Sequence, residues 1–360
     1  MKRALKLAEN GRGHVNPNPM VGAVILKNGE IVGEGYHEYF GGNHAEVNAL
    51  KMAGEKSAGA DIYVTLEPCS HFGKTPPCAL ALVKAGVKRV IIAMKDPNPL
   101  VSGKGIEILK QNGIEVISGV LEKEALKLNE IFVKFITTRR PYVIMKTAAT
   151  LDGKISTVTG ESKWISSEAS RKCVHYLRNS VMGIMVGIGT IIADDPLLTT
   201  RLEGEECKSP IAIILDSKLK MPLNSRILET LKDRKIIIGV TEKANKDKIK
   251  QLESMGVLII KTPLKDEKVD LGYFMNRLGE LNIDSILLEG GSTLNFSCIR
   301  EKIVDKVMCF ISPIMLGGEK AKTTVGGEGI KSLDQAVRIS DIKLTNIEQD
   351  ILIEGYIKEE

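Results

Sequence analysis

Apolar positions along this chain recur with a helical period in some stretches and a strand period in others, and the changes of period mark its elements. Residues 3–10 set Ala4, Leu5, Leu7 and Ala8 on one side, which predicts a short amphipathic helix. Asn16-Pro17-Asn18-Pro19 cannot lie inside a helix, because proline lacks the amide donor and clashes with the preceding turn. β-Rich runs follow at Met20–Lys27 and Ile31–Tyr36, with the hairpin signal Asn28-Gly29 between them. A helix is predicted from Asn43-His44 to Gly54, a strand over Asp61–Leu66, and a polar loop over Glu67–Pro77. Cys78 opens an Ala/Leu/Val helix that stops at Gly86, and Val87–Met94 reads as a buried strand. A Pro/Asn/Gly loop spans Asp96–Gly105, followed by a helix, a strand at Ile114–Ile117 and one long helix from about Glu122.

A hairpin followed by alternating helices and strands implies a layered α/β sheet. The pattern breaks at Arg139-Arg140-Pro141 and restarts with a strand at Tyr142–Lys146, which divides the chain into 1–140 and 141–360. The second part alternates again. Its strands are expected at Ile184–Val186, Ile211–Leu215, Lys235–Val240, Val257–Lys261, Ser285–Leu288 and Val307–Ile311. Its helices are expected at 167–181, 243–255, 272–281 and 292–302, and the tail Ile342–Ile357 reads as two strands joined by a polar turn.

Length agrees with this division, since 360 residues exceed one typical core. The hydrophobic fraction of 43% and charged fraction of 26% describe a folded chain rather than a disordered one. Aromatic residues make up only 4%, which argues against stacking platforms for single-stranded nucleic acid. The net charge of +5 is dispersed, so it suits anionic small molecules better than a nucleic-acid groove. The basic N-terminus lacks the apolar run of a signal peptide, and no run of about 18 apolar residues suggests a membrane span. The expected location is the cytoplasm. Six cysteines without a secretory signal point away from a disulfide framework, and the pair Cys69 and Cys78 stands apart from the other four as a metal-ligand candidate.

His44-Ala45-Glu46 precedes Pro68-Cys69 and then Cys78. One imidazole and two thiolates suit zinc, and three protein ligands leave a fourth position for water, which is the catalytic pattern. Such an ion would bring the pKa of bound water to about 7. Glu46 stands close enough to shuttle the proton to a ring nitrogen and then to departing ammonia. His44 and Glu46 fall in the first turn of one predicted helix and Cys78 begins another, so two positive dipole ends would favour thiolate and hydroxide. The general zinc-deaminase signature is H-x-E followed by P-C-x-x-C. Here Ser70 to Pro77 separate the two cysteines, a departure that leaves two buried thiols and a capping histidine as the alternative.

The run Tyr63 to Cys78, with Leu66-Glu67-Pro68-Cys69-Ser70-His71-Phe72-Gly73-Lys74-Thr75-Pro76-Pro77-Cys78 at its centre, resembles the deaminase half of the bifunctional riboflavin-biosynthesis deaminase/reductase family, which has this longer spacing. Asn16 to Gly22 and Asp96-Pro97-Asn98-Pro99 resemble it too. The resemblance implies Zn2+ on His44, Cys69 and Cys78, with Glu46 as catalytic proton shuttle. Asn18, Lys74, Asp96 and Asn98 become candidates for holding the substrate's ring and phosphate, although Asn and Asp beside Pro also suit plain turn chemistry. His14, His37 and His71 are expected outside the ligand set.

The second half offers two glycine-rich strand ends, Val186-Gly187-Ile188-Gly189-Thr190 and Leu288-Glu289-Gly290-Gly291-Ser292. Glycines there admit a phosphate to amides at a helix N-terminus. The first fails the dinucleotide fingerprint, because Ile192 replaces the third small residue, and both also suit tight turns. Lys146 to Lys154, Gly160-Glu161-Ser162-Lys163-Trp164-Ile165, Gly189-Thr190 through Pro196, and Glu289-Gly290-Gly291 resemble the reductase half of the same family. The fold so implied is α/β, a cytidine-deaminase-like three-layer domain followed by a dihydrofolate-reductase-like domain. Carried over from the family, Ala148, Trp164, Thr190, Asp194, Ser217, Gly291, Ser292, Thr293, Leu294 and Asn295 would contact NADPH. Ser162, Arg178, Leu198, Arg201 and Glu289 would contact the substrate, Arg178 and Arg201 as a clamp on its sugar phosphate. The substrate is a small phosphoribosyl pyrimidine, no nucleic-acid or membrane partner is expected, and a homo-oligomer is. Two rival readings are an RNA base deaminase, which leaves the second half unexplained, and a non-enzymatic binding module stapled by zinc.

Overall fold

A computed structural model describes residues 1–70, 76–98 and 101–358. The chain forms two compact units, Met1–Arg139 and Arg140–Glu360. In the first, α1 (Lys2–Ala8) leads to β1 (Gly22–Lys27) and β2 (Glu30–Tyr36). The hairpin turn places both Asn28 and Gly29 at positive φ, the conformation its sequence predicts. Then follow α2 (Ala45–Ala53), β3 (Asp61–Leu66), α3 (Cys78–Lys84), β4 (Arg89–Met94), α4 (Lys104–Gln111), β5 (Glu115–Ser118), α5 (Glu122–Leu128) and α6 (Glu130–Thr138). The sheet order is β2-β1-β3-β4-β5, with β1 antiparallel to β2 and β3, and β3, β4 and β5 parallel.

The core joins Ile62 and Val64 of β3 and Val90 and Ile92 of β4 to Ala45, Ala49, Leu82 and Leu109 of the helices. Alanines on α2 and glycines on β2 bring these two backbones close. A Cβ added at Gly33 would lie 2.3 Å from the Ala49 carbonyl, and one at Gly35 would lie 2.5 Å from the Ala49 nitrogen. That seating fixes the start of α2. The expected single helix from Glu122 is in fact two. It breaks at buried Asn129, whose amide accepts from the Met20 N–H (2.8 Å) and donates to the Met20 carbonyl (3.0 Å). The break turns the side chain toward a strand-entry peptide that would otherwise lack partners.

The second unit contains β6 (Tyr142–Thr150), α7 (Glu168–Ser180), β7 (Gly183–Gly187), α8 (Ile188–Asp194), β8 (Ile211–Leu215), β9 (Ile236–Val240), α9 (Lys246–Ser254) and β10 (Leu258–Lys261). After the short pair β11 (Leu264–Lys265) and β12 (Lys268–Val269) come α10 (Leu271–Glu280), β13 (Ser285–Leu288), α11 (Ser292–Arg300), β14 (Lys306–Ser312), β15 (Ile339–Ile347) and β16 (Asp350–Ile357). Nine strands form one sheet in the order β10-β9-β8-β7-β13-β6-β14-β16-β15. The first seven are mutually parallel, and β16 and β15 close the edge antiparallel.

Parallel strands covered on both faces read as continuous apolar runs. Here alternate residues feed opposite cores: Met185, Ile213 and Ile237 meet Phe274 and Leu278 of α10, whereas Ile184, Ile214 and Ile238 meet Ile249 and Leu252 of α9. β6 runs four residues past its expected end at Lys146, because β14 pairs with it as far as Thr150. Among the described residues no helix is long and apolar enough to cross a membrane.

Candidate active sites

The first site lies beyond the carboxyl end of β3. His44 caps α2 without being part of it, and Cys78 is the first residue of α3. His44 Nδ1 is 3.2 Å from Cys78 Sγ and 3.5 Å from Cys69 Sγ, and the three atoms all lie within 4.8 Å of one another. Tetrahedral zinc with bonds of about 2.0 Å to nitrogen and 2.3 Å to sulfur separates those ligands by roughly 3.5 Å. The triangle therefore already has the dimensions of one face of a zinc site, and its donor set is the one zinc favours. All six cysteines are free thiols.

The electrostatics agree. The Cys78 N–H donates to Cys69 Sγ at 3.2 Å. A hydrogen bond from the Cys78 thiol, aided by His44 and that amide, pulls the Cys69 thiol down to about 4 against its burial. The same bond, together with burial, pushes the Cys78 thiol up. The two sulfurs thus divide one negative charge, and a dication is what lets both ionise. Glu46 is only 3% exposed, and burial, with the Cys69 thiolate next to it, raises its carboxyl to about 7. A carboxyl titrating near neutrality can both accept and release a proton.

A cavity of about 260 Å³ opens beside these groups, lined by Asn18, His37, His44, Glu46, Glu67, Cys69, Asp96 and Asn98. Buried His37 stands edge-on to His44, ring centroids 5.6 Å apart. Its Nδ1 lies 2.9 Å from the Asn43 carbonyl and its Nε2 lies 3.2 Å from Asn18 Nδ2, a pairing that fixes a neutral tautomer and aims the Asn18 amide. Burial lowers its pKa. Asp96 Oδ1 accepts the Asn98 N–H at 2.8 Å. His14 is half-buried and outside the ligand triangle, while Lys74 and His71 lie outside the described residues.

The second unit holds a cavity of about 660 Å³ at the carboxyl ends of β7, β8 and β13. Ser162, Thr190, Asp194, Ser217, Gly291, Ser292, Thr293 and Leu294 all line it. A Cβ added at Gly291 would meet nothing within 4 Å, so that backbone is open to an approaching group. Asn295 is buried behind the turn. Its Nδ2 donates to the Thr324 carbonyl at 2.8 Å, and its Oδ1 has no partner among the described residues. Lys218, Lys220, Lys268 and Lys322 also line the cavity and, with Lys265 and Arg300, outnumber the acidic Asp194, Asp216, Asp266 and Glu301, a balance that suits a phosphate-bearing dinucleotide. Ala148 on β6 and Trp164 are not among the lining residues. Trp164 is 68% exposed, with the Arg171 guanidinium 4.6 Å from its ring centroid, so it is no core tryptophan.

An ion cluster joins Glu289, one residue past the end of β13, to Lys146 in the middle of β6 and Arg178 of α7. Arg178 Nε and Nη2 donate to the two oxygens of Glu289 at 2.7 and 3.0 Å, and Lys146 Nζ lies 3.1 Å from Glu289 Oε2. Burial pushes the Glu289 carboxyl up, but Lys146 and Arg178 outweigh it and hold the group well below its ordinary value. Arg178 Nη1 donates to the Thr199 carbonyl at 2.9 Å, so most of the donors expected to clamp a phosphate already have partners. Arg201 donates its backbone N–H to His175 Nδ1 at 3.2 Å. Burial, then Arg178 and Arg201, lower His175 to about 4 and keep it neutral. Leu198 is buried at positive φ, and its carbonyl accepts from Arg234 Nη1 at 2.7 Å.

Lys146, His175, Arg234 and Glu67 have no role assigned from sequence, and His37 is expected there only to lie outside the ligand set. Lys146 did leave a signal, a lone cation inside an apolar strand.

Fold and site together define a class: a cytidine-deaminase-like unit with a zinc-ligand triangle, followed by an α/β unit built on a mostly parallel nine-stranded sheet. Residues 1–94 match the family model of the cytidine and deoxycytidylate deaminase zinc-binding region, and residues 141–353 match the RibD C-terminal domain. The chain is 48% identical to the riboflavin biosynthesis protein RibD of Actinobacillus pleuropneumoniae over 99% of its own length and 94% of that protein's. RibD of Acinetobacter baumannii superposes with a TM-score of 0.90 at 37% identity, covering 99% of this chain and 98% of that one. A Thermotoga maritima structure, described as a diaminohydroxyphosphoribosylaminopyrimidine deaminase/5-amino-6-(5-phosphoribosylamino)uracil reductase, gives 0.86 at 38% identity, covering 99% and 97%. The chain belongs to the RibD family, the bifunctional deaminase/reductases of riboflavin biosynthesis.

Proposed function

We propose that residues 1–140 hydrolytically deaminate 2,5-diamino-6-(5-phosphoribosylamino)pyrimidin-4(3H)-one, and that residues 141–360 reduce the ribosyl chain of 5-amino-6-(5-phosphoribosylamino)uracil to ribityl with NADPH. The observation that carries this reading is the convergence of His44 Nδ1, Cys69 Sγ and Cys78 Sγ beside a buried Glu46. The activity ascribed to the Thermotoga maritima relative supports the choice of substrates.

His44, Cys69 and Cys78 would hold Zn2+, which would supply the Lewis acidity that brings water into the neutral titration range. Glu46 takes the proton released as water attacks the amino-bearing ring carbon. It passes that proton to the ring nitrogen, then takes the second proton from the hydroxyl now on the ring carbon and gives it to the amino group, which departs as ammonia as the C–N bond breaks and the carbonyl forms. Asn18, Asp96 and Asn98 orient the pyrimidine, with Lys74 as a phosphate contact. In the second unit Thr190, Asp194, Ser217 and Gly291 to Asn295 would hold NADPH, and Ala148 and Trp164 would contact it. Ser162, Arg178, Leu198, Arg201 and Glu289 hold the ribosyl chain. Hydride transfer needs alignment and exclusion of water rather than an activated nucleophile.

The substrates are free small molecules in the cytoplasm, not nucleic acid. A homo-oligomer is favoured by the edge strand β15, where Ile342 and Leu344 are 60% and 64% exposed.

The test is metal analysis of the purified chain together with NADPH consumption on the named uracil. Glu46→Gln should keep zinc while deamination falls by about 10²-fold or more. A structural zinc staple predicts no such loss, and full turnover in that variant would remove Glu46 from the mechanism.

A further inference from the structure

Glu67 is 5% exposed, two residues before Cys69, and its carboxylate is occupied in an unusual way. Oε2 accepts the N–H groups of Asp96 (3.2 Å) and Gly103 (3.0 Å), and Oε1 those of Gly105 (3.0 Å) and Ile106 (3.3 Å). The last two are opening amides of α4, which a side chain at the N-cap normally satisfies. Here the N-cap is Gly103, at φ 83° and without a side chain, and the cap comes from Glu67 instead. Gly105 completes the joint. A Cβ there would lie 2.0 Å from the Pro68 carbonyl, so the helix start rests directly on the segment leading to Cys69. One carboxylate thus ties the strand end that delivers Cys69 to Asp96, at one end of the loop lining the same cavity, and to α4 at the other.

We propose that Glu67 is a positioning residue for deamination. It sets the distance between the zinc-ligand segment and the Asp96–Asn98 rim, and so governs how tightly the pyrimidine is held. This rests on the pyrimidine-deaminase reading given above. Charge-assisted bonds from four amides are strong, and they hold the loop before substrate arrives. In Glu67→Gln one oxygen becomes an NH2 group facing two N–H donors, so two of the four bonds are lost.

The experiment measures steady-state deamination, zinc content and amide exchange in the full-length chain. In Glu67→Gln, KM should rise at least about tenfold while kcat changes less than about threefold. Zinc content should match the wild type, and exchange in a peptide covering residues 101–111 should accelerate. Gly105→Ala strains the same joint from the other side and should give the same KM-dominated defect, so the idea stays testable if the first variant fails to fold. An unchanged KM in a folded, zinc-loaded Glu67→Gln would overturn the proposal. So would a fall in kcat and zinc content with KM intact, which means Glu67 merely supports Cys69. If the wild-type chain does not deaminate the pyrimidine, the underlying reading fails, and this proposal fails with it.

Discussion

At Glu289 a single carboxylate separates two half-buried cations, taking two N–H bonds from Arg178 and one from the Lys146 ammonium. The three charges sum to +1, and Arg201 stands close enough to feel Arg178, so the cluster still favours an anion such as a sugar phosphate. Removing the middle charge leaves two cations facing each other in a poorly solvated place. Glu289→Gln should therefore cost the second unit about 3 kcal/mol, read as a fall in its melting temperature of roughly 6–12 °C. Lys146→Met should cost much less, since Glu289 keeps both bonds to Arg178. Equal effects from the two substitutions would mean that the cluster does not behave as a triad. The same contrast explains which site residues were legible in the sequence. His44 and Glu46 sit two apart, and Pro68-Cys69 and Cys78 flank one loop, so local spacing carries the message. Lys146 and His175 lie on elements far apart in the chain and join Glu289, itself named only through the family resemblance, when β6, α7 and β13 pack.

α2 owes its place to residues that have almost no side chain. Gly33 and Gly35 let its backbone rest on β2, and that contact puts His44 opposite the two sulfurs. A Cβ at residue 35 would sit 2.5–2.6 Å from Ala49 N and Ala45 O, backbone atoms that cannot swing aside. Gly35→Ala should push the start of α2 outward, cost about 1–3 kcal/mol, and weaken zinc retention. Competition with a metallochromic chelator would measure the second effect, and wild-type zinc affinity in the variant would show that α2 tolerates the shift. Elements buried on both faces, such as β8, β9 and β13, were readable because their apolar runs are long and bounded by turns. The two-residue strands β11 and β12 are too short to show a period, and α8 hides behind the glycine pattern of Gly187 and Gly189. The break at Asn129 was invisible for another reason: its cause is the Met20 peptide, more than a hundred residues away.

The whole molecule is two units, each closed around its own apolar core. Among the described residues the ligand triangle His44, Cys69 and Cys78 lies in the first unit, so zinc bound there would add its binding energy to that unit's folding equilibrium and not the other's. At about a hundredfold above its Kd the ion adds about 2.7 kcal/mol to the folded state. Chelation should therefore lower the first unit's thermal transition by roughly 10 °C and leave the second in place. The chemistry should divide the same way. Cys78→Ser removes one ligand and with it deamination, whereas NADPH oxidation on pre-deaminated uracil substrate should proceed at the wild-type rate. The comparison is decisive because both rates come from one polypeptide in one preparation. If the variant melts normally in its second transition yet loses NADPH oxidation too, the two sites are coupled and the separation argued from their cores is wrong. If both rates survive, Cys78 is not a zinc ligand, and the hydrogen-bonded pair of thiols is only a packed contact.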